Sequence, residues 1–211
     1  MIQATTNSVI VRVDHKYTSN LSSILKLASI QNDATVDPAD LVNILGEVVS
    51  LPKRIDNKRE YMGYSTENIQ VGDTAIFSFS VILDLIEQGE GKDPIYKNNF
   101  FYRGKDYFLC DITKLYAVIR EGEIIMQNGY VMGTPIEESK IILPASMRNM
   151  KKASHSTVMH IGHPRTTEKQ IEAIEGDVFY VNPNTVEKYQ INKKHFIITQ
   201  QSKVLGIKMD L

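Results

Sequence analysis

"IQVGDTAIF", residues 69–77, and "AIEGDVFYV", residues 173–181, are two spellings of one phrase. In each, an apolar residue leads into Gly-Asp, and a strand-like run follows. Gly72 and Gly176 can take the positive φ of a tight turn, and Asp73 and Asp177 can hydrogen-bond their own backbone there. "TAIF" and "VFYV" are β-branched and aromatic, the chemistry of a half-buried strand. A turn before a strand is common, so the fold depends on whether the surroundings repeat as well.

They do, in the same order. "SVIVRV" (8–13), "NILGEVVSL" (43–51), "VGDTAIFSFSVI" (71–82) and "DYFLCDITKLYAVIR" (106–120) read as strands of a first half. "EIIMQNGYVMG" (123–133) completes it, with "QNG" at 127–129 as a hairpin turn. "SKIILPAS" (139–146) then answers the opening strand and "STVMHIG" (156–162) answers "GEVVSLP". "EGDVFYV" answers "VGDTAIF", and "KKHFIITQQSKVLGIKM" (193–209) answers "KDYFLCDITKLYAVIRE". The pattern predicts an all-β chain of two tandem modules, 1–133 and 134–211. Strands are expected at 8–13, 46–51, 73–80, 106–110, 140–143, 157–161, 177–181 and 195–199. "PKRIDNKREYMGYSTEN" (52–68) is charged and turn-rich and reads as an exposed loop. Asp37, Pro38 and Gly46 are helix signals, giving a helical turn at 38–43.

Composition narrows the functional classes. The 211 residues suffice for one large domain or two small ones. A net charge of −1 gives no global basic footprint for nucleic acid. One cysteine, Cys110, excludes a disulfide framework and a Cys-based zinc site. The opening residues lack a basic start followed by a long apolar core, and no stretch reaches the ~20 apolar residues of a membrane span. The expectation is a soluble, cytoplasmic protein with no membrane partner.

Candidate chemistry is sparse. His160 and His163 are three apart, a spacing that puts them on opposite faces of a strand. Cys110 sits in an apolar strand before Asp111 and suits a core thiol. There is no P-loop and no G-x-G-x-x-G. No catalytic residue, metal site or cofactor is expected, and the chain does not read as an enzyme. "YKNNFFYRGKDY" (96–107) interleaves Lys97, Arg103 and Lys105 with Phe100, Phe101 and Tyr102. That pattern could stack on single-stranded nucleic acid, but it reads more simply as an inserted hairpin with a solvated face, and no nucleic-acid partner is expected.

Residues 15–42 are mostly polar, yet Ile24, Leu25 and Leu27 stand inside them. A long connection without structure of its own is usually functional or disordered, and an apolar triplet in it must find burial somewhere. It either folds onto its own domain as an amphipathic turn or strand, or it docks on a partner.

The ordered motifs resemble the chaperonin-10 (GroES-like) co-chaperonin family. "VIVR" (9–12), "GEVV" (46–49), "VGDTAIF" (71–77) and "KLYAVI" (114–119) are similar to that family's successive strands. "KIIL" (140–143), "VMHIG" (158–162), "EGDVFYV" (175–181) and "KVLGI" (203–207) form the second set. The family's opening proline motif is absent before the first strand and survives loosely as "TPIEES" (134–139). The resemblance implies two tandem small GroES-like β-barrels with long loops. The first carries a mobile loop at 15–42 and an insertion at 84–105. It also implies a homo-oligomeric ring that caps a GroEL-like chaperonin, assisting protein folding through Ile24, Leu25 and Leu27. The second copy has only "PASMRNMKKASHS" (144–156) between its first two strands, so it would not dock by the same means. The alternative is a structural assembly protein, such as a ring or decoration component of a virus particle, that keeps the barrel and loses the chaperonin contact.

Overall fold

A computed structural model describes residues 2–14, 44–83, 85–86, 95–96, 98–136, 154–163, 165, 171–182, 186–191 and 194–208. The chain divides into two compact units, Met1–Asn128 and Gly129–Leu211.

The first unit holds β1 (Ser8–Arg12), β2 (Leu45–Ser50), β3 (Thr74–Phe77), β4 (Leu85–Ile86) and β5 (Ile95–Tyr96). It continues with β6 (Asn99–Tyr102), β7 (Lys105–Asp111), β8 (Leu115–Arg120) and β9 (Glu123–Met126). Seven of these form one antiparallel sheet in the order β6-β7-β1-β2-β3-β8-β9, while β4 and β5 pair apart. The second unit holds β10 (Tyr130–Pro135), β11 (Ser154–Ile161), β12 (Val178–Val181), β13 (Glu187–Ile191), β14 (Lys194–Gln200) and β15 (Val204–Lys208). Its six-stranded sheet runs β13-β14-β10-β11-β12-β15. Laid side by side, the two orders are the same, strand for strand, except that among the described strands β9 has no counterpart beside β15.

The repetition reaches individual atoms. Gly72 and Gly176 both sit at φ 99°, where only glycine is free of Cβ strain. The Asp73 and Asp177 carboxylates accept from the backbone N–H three residues back, Gln70 at 2.7 Å and Ile174 at 2.9 Å. Val48 N–H donates to Asp73 O at 2.8 Å, and Val158 N–H donates to Asp177 O at 2.7 Å. Register shifts fall at matching places, between Ile10 and Val11 and between Met132 and Gly133. A 3-10 turn joins the last two matching strands in each unit, Ile112–Lys114 and Gln201–Lys203.

One face of the first sheet converges on a single core: Val9, Val11, Val48, Ala75, Phe77, Phe108, Cys110 and Val118 come from five strands. Each fully buried Val or Phe among them contributes about 1.5–3 kcal/mol. The opposite face carries a smaller cluster around Ala4, Ile10 and Tyr107, with Phe100 stacked on Tyr107 at 5.4 Å. In the second unit Val131, Val158, Phe179, Val181 and Ile197 form the core. The architecture is therefore all-β, with two antiparallel sheets. Neither closes into a barrel among the described strands: β6 and β9 edge the first sheet, and β13 and β15 edge the second.

Several expectations change. The predicted strand at 140–143 and the helical turn at 38–43 lie outside the described residues. The strand that occupies β1's place in the second sheet is Tyr130–Pro135, ahead of the stretch the sequence suggested. The division between units falls between Asn128 and Gly129. Asn128 (φ 47°) and Gly129 (φ 79°) do make a tight turn, yet the strands flanking it do not pair. Their backbone groups are committed elsewhere: Gln127 N–H donates to Tyr116 O, and Gly129 N–H to His163 O, both at 2.8 Å.

Candidate functional site

The proposed docking residues Ile24, Leu25 and Leu27 lie outside the described residues. What the fold defines is the base from which their connection springs. It leaves the end of β1 and returns at the start of β2, two neighbouring antiparallel strands. Both stems are fixed. Val13 is 2% exposed and Ile44 is 4% exposed. Val13 N–H donates to Asp106 O at 3.4 Å, and Phe77 N–H donates to Ile44 O at 3.2 Å. Across the gap, Arg12 and Glu47 are register partners, and the guanidinium forms a salt bridge to the Glu47 carboxylate. The same guanidinium lies 3.6 Å from Asp14. A Cβ on Gly46 would meet Arg12 O at 3.0 Å and Val13 at 3.1 Å, so a side chain there would press on both stems. At the matching positions of the second unit, Thr134 faces Thr157, with no charges.

The segment 52–68, read from sequence as an exposed loop, is strapped to the first sheet at three points. Asp56 N–H donates to the Asn7 side chain at 2.7 Å, and Ser65 N–H to the Asn128 side chain at 2.8 Å. Between them the Tyr61 hydroxyl donates to Asp111 at 2.8 Å. That bond, followed by burial, pushes the Tyr61 phenol up to about 12. Tyr64 and Ile69 reach the core. The turn-rich composition was legible, but the anchors were not, because each pairs residues about fifty or more apart in sequence.

The second polar cluster supports the Gly-Asp turn. Arg120 donates to both Asp73 oxygens at 2.8 Å and to Asn68 O at 3.0 Å. The guanidinium holds the Asp73 carboxyl below the usual range, against burial that would raise it.

The two histidines do not share a strand: His160 is on β11, and His163 lies beyond its end and is exposed. Cys110 is fully buried, and burial pushes its thiol up, away from nucleophilic chemistry. Among the described residues no group of three or more His, Cys, Asp or Glu is placed to hold a metal ion. No helix among the described residues is long and apolar enough to cross a membrane.

The aromatic segment forms the β6–β7 hairpin at one sheet edge. Phe100 faces inward, whereas Phe101 is 69% exposed and Tyr102 is 39% exposed, with Arg103 5.2 Å above the Tyr102 ring. No protein-family model matches the chain, and no curated protein matches it.

Proposed function

We propose that the chain is a co-chaperonin-like protein whose two units are GroES-like modules, acting as a ring that caps a chaperonin. The observation that carries this reading is the base of the β1–β2 connection. A segment of about thirty residues is presented from paired strands pinned by Val13, Ile44 and the Arg12–Glu47 salt bridge. A partner-binding segment works best from a fixed base, because only the segment itself then loses freedom on docking. Ile24, Leu25 and Leu27 are the anchors in this proposal. Several weak contacts around a ring then add by effective concentration. The repeated Gly-Asp turn and strand order support the family resemblance, and the gathering of side chains from five strands of the first sheet into one core supports the barrel-like reading.

The test is a pull-down of a bacterial chaperonin ring by the intact protein, with and without nucleotide. Ile24→Asp with Leu25→Asp should abolish capture and leave the melting temperature nearly unchanged. Capture that survives the double change removes these residues from the interface, and loss of folding makes the triplet core. One observation favours the assembly reading as the second choice. The second unit keeps the sheet but has Thr134 and Thr157 where the first has its charged clamp. A scaffold that retains the fold without the docking base suits a structural component of a larger particle.

A further inference from the structure

The two Gly-Asp turns hold their carboxylates in one geometry, and only the first carboxylate has a counter-charge. Besides the shared φ and the shared bond from the third residue back, the backbone contacts match. Gly72 N–H donates to Val48 O at 2.8 Å, and Gly176 N–H donates to Val158 O at 2.9 Å. Asp73 N–H donates to Gln70 O and Asp177 N–H to Ile174 O, both at 3.2 Å. The two aspartates are equally buried, each 5% exposed. Asp73 also receives Arg120, whose Nε donates to Oδ1 and whose terminal nitrogen donates to Oδ2 and to Asn68 O. In register, Thr74 faces Ile119 and Val178 faces Lys208. The residue after Ile119 is Arg120, whereas the residue after Lys208 is Met209, which carries no charge. Asp177 keeps the Ile174 bond to Oδ2, and its Oδ1 has no hydrogen-bond partner among the described residues. A buried carboxylate without a counter-charge is costly. The sequence around it deepens the deficit: Asn68 to Asp73 contains one carboxylate, and Glu172 to Asp177 contains three. Glu172 and Glu175 are exposed, and Ile174 between them is 72% exposed.

We infer that the second Gly-Asp turn is a docking socket for an arginine side chain carried by another protein. Arg120 beside Asp73 shows how the guanidinium sits. Transposed, one nitrogen donates to Asp177 Oδ1, and a second donates to Oδ2 and to Glu172 O. The planar fork of a guanidinium meets these acceptors together, whereas an ammonium reaches them only as a point charge. Glu172 and Glu175 add the negative field that draws a cation in. Ile174 offers apolar contact beside the socket, so the fitting partner is a segment with an aliphatic residue next to its arginine. The first unit does not take such a segment, because Arg120 of its own chain already fills the place.

The test titrates the full chain with methylguanidinium, with methylammonium as control, and follows amide signals by NMR. Methylguanidinium should shift Ile174, Gly176 and Asp177 with a Kd in the millimolar range, leave Gly72 and Asp73 in place, and bind several-fold more tightly than methylammonium. Asp177→Asn keeps an acceptor for the Ile174 N–H, and Met209→Arg supplies the guanidinium from the chain itself; each should lose the response. Arg120→Ala empties the first socket and should add matching shifts at Gly72 and Asp73. N-acetyl-leucyl-arginine amide should bind the unchanged protein more tightly than methylguanidinium, and Ile174→Ser should remove that gain. Absent shifts at Gly176 and Asp177, equal binding of methylammonium, or a response that survives Asp177→Asn or Met209→Arg overturns the socket. A dipeptide that binds no more tightly than methylguanidinium overturns the assignment to a protein partner. No chaperonin enters the titration, so this inference and the capping reading can fail separately.

Discussion

At one matching lattice point the two units solve the same packing problem with opposite sizes. Val11 and Ala75 share the first core. The register places Gly133 and Phe179 at the corresponding positions of the second. A Cβ on Gly133 would meet Phe179 Cε1 and Thr157 O, both at 2.5 Å, roughly an ångström inside ordinary contact. Phe179 is fully buried, and the carbonyl belongs to the sheet, so neither gives way cheaply. Overpacking of this kind costs about 1–3 kcal/mol. The reduced freedom of an unfolded Ala chain returns roughly 0.4–1 kcal/mol. Gly133→Ala is therefore expected to cost about 1 kcal/mol net, and Phe179→Ala, which leaves a cavity, about 3–5 kcal/mol. Transplanting the first unit's pair, Gly133→Val with Phe179→Ala, should cost much less than the sum of its single changes. The coupling expected for such contacting residues is about 0.5–3 kcal/mol. Urea unfolding of the parent, Gly133→Ala, Gly133→Val, Phe179→Ala and the double variant, with midpoints and slopes fitted for the second unit's transition, measures each term. Additive single changes, or a Gly133→Ala protein as stable as the parent, would refute the reasoning.

Asp73 is held below the usual carboxylate range by Arg120, so its contribution is complete above that range and is lost as pH falls through the depressed value. Arg120→Gln should destabilise the first unit at neutral pH and flatten its loss of stability in acid, as read by melting across pH 2–5. Tyr61 works in the opposite direction: its phenol is raised to about 12, so the contribution is complete below the ordinary value near 10 and is lost between the two. Tyr61→Phe should lower stability at pH 8 by roughly 1 kcal/mol and remove the alkaline slope seen in denaturant midpoints. Cys110 should resist alkylation by iodoacetamide in the native protein and react fully in urea; rapid native labelling would contradict its complete burial.

The Gly-Asp turns disclosed the duplication because they are local: glycine supplies the dihedral and aspartate the bond, within four residues. Strands β1, β2, β3, β7, β11, β12 and β14 were legible for a similar reason, since β-branched and aromatic runs between turns need no distant information. The opening strand of the second unit was misplaced because "KIIL" and "YVMG" both read as strands, and only pairing with β11 and β14 selects the latter. The Asn-Gly hairpin failed likewise, since turn chemistry was right and partner choice was tertiary. Of the candidate site, the polar context and apolar triplet could be read. The Arg12–Glu47 clamp could not, because it depends on a register across a gap of thirty-five residues.

A chain that writes one strand order twice faces a hazard while it folds, because either copy of a strand could be taken up by the wrong sheet. The exchange of sizes at Gly133 and Phe179 works against that error. If β12 were captured beside β2, in the place of β3, its phenylalanine ring would meet the Val11 side chain rather than a bare glycine. If β3 entered beside β11, in the place of β12, Ala75 would face Gly133 across an empty volume. Each mistaken half is overfilled or hollow, whereas each correct half is dense, so divergence between the copies acts as proofreading of the chain's own assembly.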